Sequence, residues 1–170
     1  YWAGARDRGE YVAITTTTND HVGAINAAVH DHRRQLGQLG DNRLELSDGL
    51  ELAVGDVITT RRNERFLRTT AGESVRNRDY WTIDTIGADG SLSVTRIDGH
   101  GTVTLPAAYV AEHVQLGYAA TEPGNQSDTA TRSATLATTA TTCRGLYVAI
   151  TRGRVENLVL VVTDSHDIAE

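Results

Sequence analysis

A chain of 170 residues with a net charge of −6 is long enough for one hydrophobic core with a smaller inserted unit, and too acidic overall to grip nucleic acid by phosphate neutralisation alone. No apolar run approaches the ~20 residues that cross a bilayer, and the single cysteine, Cys143, excludes an intramolecular disulfide or a cysteine-based zinc site. With no initiator methionine and no apolar signal-peptide core, the chain is expected to be a cytoplasmic piece of a longer protein.

Tyr11–Thr17 is β-branched and bounded by a turn, so it predicts a strand. Asn19 is placed to cap a following helix whose apolar positions are Val22, Ile25, Val29 and Leu36, and strand, turn and helix make the first half of a βαβ unit. His30 and His32 lie two apart on that helix, face different ways and have no third ligand in register, so both are expected in solvent and no metal site is expected. Gly37 and Gly40 close the helix.

From Arg43 the pattern changes to short strands, Arg43–Leu46, Asp56–Thr60, Tyr80–Ile86, Ser91–Ile97 and Gly101–Leu105, separated by Asp-Gly turns at Asp48-Gly49, Asp89-Gly90 and Asp98-Gly99. That spacing predicts a small β-barrel. Trp81 is expected in its core with Thr82 outward, since neighbours on a strand point to opposite faces. All 16 basic residues are arginine, and Arg61, Arg62, Arg65, Arg68, Arg76 and Arg78 fall between the first barrel strands. That segment reads either as a phosphate-facing loop or as a solvated hairpin.

Val114–Thr121 is expected to return the chain to the α/β layer, followed by a polar loop and a strand over Ser133–Ala137. Thr138–Thr142 then caps a helix on which Cys143, Leu146, Tyr147 and Ile150 form the apolar stripe at i, i+3, i+4 and i+7. This packing carries Arg152 and Arg154 out of the core at the helix C-terminus, where cations suit the dipole. Leu158–Val162 is a continuous apolar run, the pattern of a strand buried on both faces of a parallel sheet.

Leu146-Tyr147-Val148-Ala149-Ile150-Thr151-Arg152-Gly153-Arg154, followed by that strand, resembles motif VI of superfamily 1 helicases, in particular the C-terminal motor domain of RecD-type enzymes and of conjugative relaxase-helicases. Thr16, Thr18, Asn19 and Asn26 match the family's motif IV. Thr121, Gln126 and Thr129 match motif V, although Pro123 or Gly124 stands where the family has His, and Ser127 where it has Gly. The resemblance implies an α/β fold, a RecA-like parallel sheet with helices over residues 1–42 and 114–170, interrupted by an SH3-like β-barrel over 43–113 that lies along the path of single-stranded DNA. It further implies that Arg152 reaches the γ-phosphate of ATP across a cleft, with Arg154 and Gln126 also on the nucleotide side. Thr121, Thr129, Arg61, Arg62 and Arg65 are the implied DNA contacts.

A chain without lysine cannot contain the Gly-x-x-x-x-Gly-Lys-Ser/Thr phosphate loop, so ATP and Mg2+ are expected to be held in the parent protein and not by this piece alone. The expected partners are single-stranded DNA and an N-terminal motor domain of the same protein, with no membrane involved. The implied parent activity is 5′ to 3′ DNA unwinding. The alternative is a non-catalytic protein- or DNA-interaction module on a degenerate motor fold, favoured by the departures at Pro123, Gly124 and Ser127.

Overall fold

The computed structural model describes residues 4–5, 10–46, 49–121 and 130–162. Along the chain these form β1 (Val12–Thr16), α1 (Asn19–Gln35), β2 (Arg43–Glu45), β3 (Glu51–Ala53), β4 (Val57–Thr60), β5 (Glu64–Arg68), β6 (Ser74–Val75), β7 (Tyr80–Ile86) and β8 (Leu92–Arg96). Then come β9 (Thr102–Leu105), α2 (Ala107–His113), β10 (Val114–Leu116), β11 (Ala119–Thr121), β12 (Ala130–Ala137), α3 (Cys143–Ile150) and β13 (Gly153–Val161). Two compact units result, Tyr1–Ile25 with Ala119–Glu170, and Asn26–Tyr118, the boundary falling inside α1.

The first unit is built on a parallel sheet in the order β11-β1-β12-β13. β1 is central, and Val12, Ala13, Thr15 and Thr16 are all buried, as expected where both faces of a strand are covered. β12, α3 and β13 form a βαβ unit, with Thr142 Oγ1 accepting from Gly145 N at 3.0 Å to cap the helix as anticipated.

Two expectations for this unit fail. The helix does not bury Cys143 and Tyr147, which are exposed, Tyr147 to 68%. It buries Gly145 and Ala149 instead, small residues four apart that let the helix close on β12 until Ser133 Oγ lies 3.3 Å from the Ala149 carbonyl. Nor is Leu158–Val162 covered on both faces: β13 ends the strand order, and Leu160 and Val161 are 53% and 66% exposed.

The second unit contains an antiparallel sheet in the order β10-β4-β7-β8-β9 and the hairpins β2–β3 and β5–β6. Trp81 is fully buried as expected, and Ile58, Ile83, Leu92, Val94 and Leu105 are buried in the same unit. The alternation on β7 slips at Ile83/Thr85: Asp84 and Thr85 are both exposed, and Ile86 is again buried. That irregularity keeps the apolar residues on one face. Gly90 and Gly99 adopt left-handed φ values of 84° and 82° in the turns predicted from Asp-Gly.

Two features of this unit depart from the sequence reading. Val114–Leu116 pairs antiparallel with β4, so the chain rejoins the parallel sheet only at β11. The helix α2, which follows Pro106, was not anticipated. Of the two readings of the arginine-rich segment, loop or hairpin, the structure has the hairpin, β5–β6.

α1 also differs from its apolar spacing. Thr18 Oγ1, not Asn19, caps it by accepting from His21 N at 3.3 Å. Its buried side chains are Asn26 and His30, whereas Val22, Ile25 and Val29 are half-buried and Leu36 is exposed. Buried polar groups need partners, and these have them: Asn26 Nδ2 donates to the Leu116 carbonyl at 2.9 Å, and His30 Nδ1 donates to Asp56 Oδ2 at 2.9 Å. His30 is therefore not the solvated histidine its spacing suggested; His32 is exposed.

Fully buried Asp56 also accepts from Ala53 N at 2.7 Å and from the Tyr118 hydroxyl. Arg33 donates to that hydroxyl at 2.9 Å and to the Gly55 carbonyl at 2.7 Å. Burial and the nearby Asp56 carboxylate push the Tyr118 phenol well above its ordinary range. The helix then ends at Gly37, φ 66°, with Gly37 N and Gln38 N bonded to the Arg34 and Arg33 carbonyls.

Candidate functional site

The last turn of α3 and the first residue of β13 form a tightly specified backbone corner. Thr151 Oγ1 donates to the carbonyls of Tyr147 and Val148 at 3.0 and 3.1 Å, closing the helix end. The Arg152 carbonyl accepts from Ala130 N at 3.1 Å, tying the corner to β12. Asn157 holds Gly153 from both sides: its Oδ1 accepts from Gly153 N at 2.8 Å and its Nδ2 donates to the Gly153 carbonyl at 2.9 Å. Ser133 Oγ, 2.6 Å from the same Oδ1, braces the amide from β12. A Cβ at position 153 would lie 2.7 Å from Ser133 N and closer still to the Glu156 carbonyl, so glycine is needed for close approach.

This corner presents two different arginines. Arg154 is exposed. Arg152 is half-buried, and its Nε is buried without a hydrogen-bond partner among the described residues. An unpaired buried donor costs about 1–3 kcal/mol. A planar guanidinium with an unfilled donor suits a phosphoryl group, whose oxygens accept in bidentate fashion. The clamp residues Asn157 and Ser133 were missed by the sequence reading; the Gly-x-x-x-Asn spacing after the arginine was the only available signal.

The other predicted residues are not gathered here. Thr121 ends β11 in register with Thr16, whereas Gly153 aligns with Ala130 at the opposite edge of the sheet. Six strand positions, about 20 Å, separate those levels. Among the motif IV matches, Thr16 is buried, Thr18 caps α1 and Asn26 is engaged with Leu116. Neighbouring Thr17 shares a hydrogen bond with the Thr138 hydroxyl at 3.1 Å. Gln126 and Thr129, with Pro123, Gly124 and Ser127, lie outside the described residues.

In the second unit Arg61, Arg62 and Arg65 are exposed around β5. Arg62 donates to His113 Nε2 at 3.1 Å; the side chains of Arg61 and Arg65 make no hydrogen bond or ion pair among the described residues. Arg96 shows the contrast. It lies 5.5 Å from the Trp81 ring centroid and pairs with Glu73, Asp79 and Asp98 at 2.8, 3.2 and 3.2 Å, which commits it to holding the sheet. Burial raises the Asp79 carboxyl above its ordinary value in spite of that arginine. Among the described residues, no group of three His, Cys, Asp or Glu could hold a metal ion, and no helix is long and apolar enough to cross a membrane.

No protein-family model matches the sequence, and no curated protein matches it. Solved structures do match. The Pif1 helicase from Bacteroides in complex with ADP-AlF3 and ssDNA aligns over 94% of this chain and 42% of its own, with a TM-score of 0.63 and 17% identity. The chain shares its fold with part of that helicase. Bacteroides Pif1 bound to ssDNA gives a TM-score of 0.61 at 19% identity, covering 95% of this chain and 43% of that one. Pif1 helicase from Candida albicans gives 0.60 at 13% identity, covering 89% and 45%. The α/β architecture expected from the sequence, a RecA-like parallel sheet with helices and an intervening β unit, is thus present. The chain spans less than half the length of these helicases.

Proposed function

We propose that this chain is the second motor half of an ATP-dependent DNA helicase, and that Arg152 is its arginine finger. The observation that carries the reading is the half-buried guanidinium of Arg152, its Nε unpartnered among the described residues, on a corner fixed by Asn157 and Ser133 within a helicase fold. Arg152 is suited to neutralise charge that develops on a transferring phosphoryl group, and Arg154, exposed beside it, to support the nucleotide or the opposing domain. ATP with Mg2+, bound mainly by the phosphate loop of the other motor half, supplies the phosphoryl chemistry.

The proposal extends to the remaining expectations. Gln126 takes the nucleotide side; Thr121 and Thr129 contact single-stranded DNA, with Arg61, Arg62 and Arg65 contributing from the inserted unit. Residues 43–113 form an SH3-like barrel within a motor domain made of 1–42 and 114–170. The antiparallel sheet and its two hairpins support that assignment. The resemblance at Leu146–Arg154 supports 5′ to 3′ movement and a conjugative relaxase-helicase as the parent.

The test is Arg152→Ala in the full-length parent. The expected result is ATPase lowered by roughly 10³-fold, the scale of arginine fingers, with single-stranded DNA binding near normal. Unchanged turnover would overturn the assignment.

A further inference from the structure

The β5–β6 hairpin places its one aromatic residue in solvent. Phe66, the chain's single phenylalanine, is 93% exposed. Its position follows from an irregular register: Glu64 pairs with Val75 and Arg68 with Ser74, so Arg65, Phe66 and Leu67 are accommodated opposite no residue of β6. Such an irregularity bends a strand and re-aims a side chain. Phe66 N donates locally to Glu64 Oε1 at 3.2 Å, which fixes the backbone from which the ring projects. Leu67, its neighbour, is only half-exposed, so the segment is not turned out as a whole.

An aromatic ring held in water gains nothing for the fold. On the same strand or just before it, exposed Arg61, Arg62, Arg65 and Arg68 supply positive charge, in a chain whose net charge is −6. A ring face flanked by guanidinium groups matches the chemistry of an unpaired nucleotide, whose base stacks while its phosphate is neutralised. Duplex DNA fits less well, because its bases are already stacked and offer no face.

We infer that the β5–β6 hairpin binds single-stranded DNA by stacking a base on Phe66, with Arg65 and the neighbouring arginines on the phosphates. This deepens the helicase reading and rests on it, since it assigns base contact to a residue that the motifs did not mark.

The experiment compares the chain with its Phe66→Ala and Phe66→Trp variants in fluorescence anisotropy, using labelled oligothymidylate and an abasic oligomer of the same length. The expected result is about tenfold weaker binding of oligothymidylate by Phe66→Ala, retention by Phe66→Trp, and little change for any variant on the abasic oligomer. Equal affinity of Phe66→Ala and the unaltered chain for oligothymidylate would overturn the stacking inference and leave the helicase reading standing. Failure of the unaltered chain to bind oligothymidylate at all would overturn both the inference and the DNA contacts on which it rests.

Discussion

Asn157 grips the backbone of Gly153 twice, accepting from its N–H at 2.8 Å and donating to its carbonyl at 2.9 Å. The residue immediately before that glycine is Arg152, so the side chain of Asn157 sets the direction in which the arginine leaves the helix. Asn157→Ala is expected to cost about 1–2 kcal/mol in urea unfolding, through the loss of two hydrogen bonds at a partly covered site. On the proposed arginine-finger role, the same change in the full-length protein should lower kcat for ATP more than it changes KM. Unaltered kcat in a folded variant would show that the clamp does not orient the arginine.

Two glycines of the same unit should respond oppositely to alanine. At Gly153 a methyl group meets backbone on two sides, so Gly153→Ala is expected to destabilise by at least about 2 kcal/mol. At Gly23, inside α1, nothing lies within 4 Å of the added carbon, and alanine should stabilise the helix by about 0.5–1 kcal/mol. Thermal unfolding of the two variants distinguishes the cases; a stabilised Gly153→Ala would refute the close approach at the corner.

Tyr118 gives a pH dependence whose sign is fixed. Its phenol is raised above the ordinary 10.0, first by burial and then by Asp56, so the folded state holds the proton more tightly than the unfolded state does. The stability it contributes is complete below pH 10.0 and is lost as the pH rises from there toward the raised folded value. Tyr118→Phe should cost about 1–2 kcal/mol at neutral pH, because Asp56 loses a donor. It should also shrink the alkaline loss and remove one late-ionising phenol from an absorbance titration. Loss of a phenol that ionises near the ordinary 10.0 would disprove the shift.

The alternating strands and Asp-Gly turns of the second unit were legible because each side chain's face follows directly from the pleat. Trp81 and the turns at Gly90 and Gly99 are the clearest examples. The faces of α1 and α3 were misread for one physical reason. Apolar spacing identifies which residues could be buried, but here close packing selected Gly145 and Ala149, and hydrogen bonding selected Asn26 and His30. Neither choice leaves a hydrophobic signature. β13 was misread because an apolar run cannot report whether its strand lies inside a sheet or at its edge. At the candidate site, the arginine was visible in the motif; Asn157 and Ser133 were not, since their role depends on two strands meeting in register.

The hydrogen bond from Asn26 to the Leu116 carbonyl joins residues ninety positions apart. The antiparallel unit between them is made largely of neighbouring strands, whose short loops close at little entropic cost and hence quickly. β1 and β11, by contrast, pair across that whole intervening segment, Ile14 with Ala119. Formation of the antiparallel unit therefore shortens the chain that must close before β1 can find β11, and the parallel sheet should assemble second. Variants that weaken the Asn26 tie, such as Asn26→Ala, should slow refolding of the parallel sheet more than they speed its unfolding.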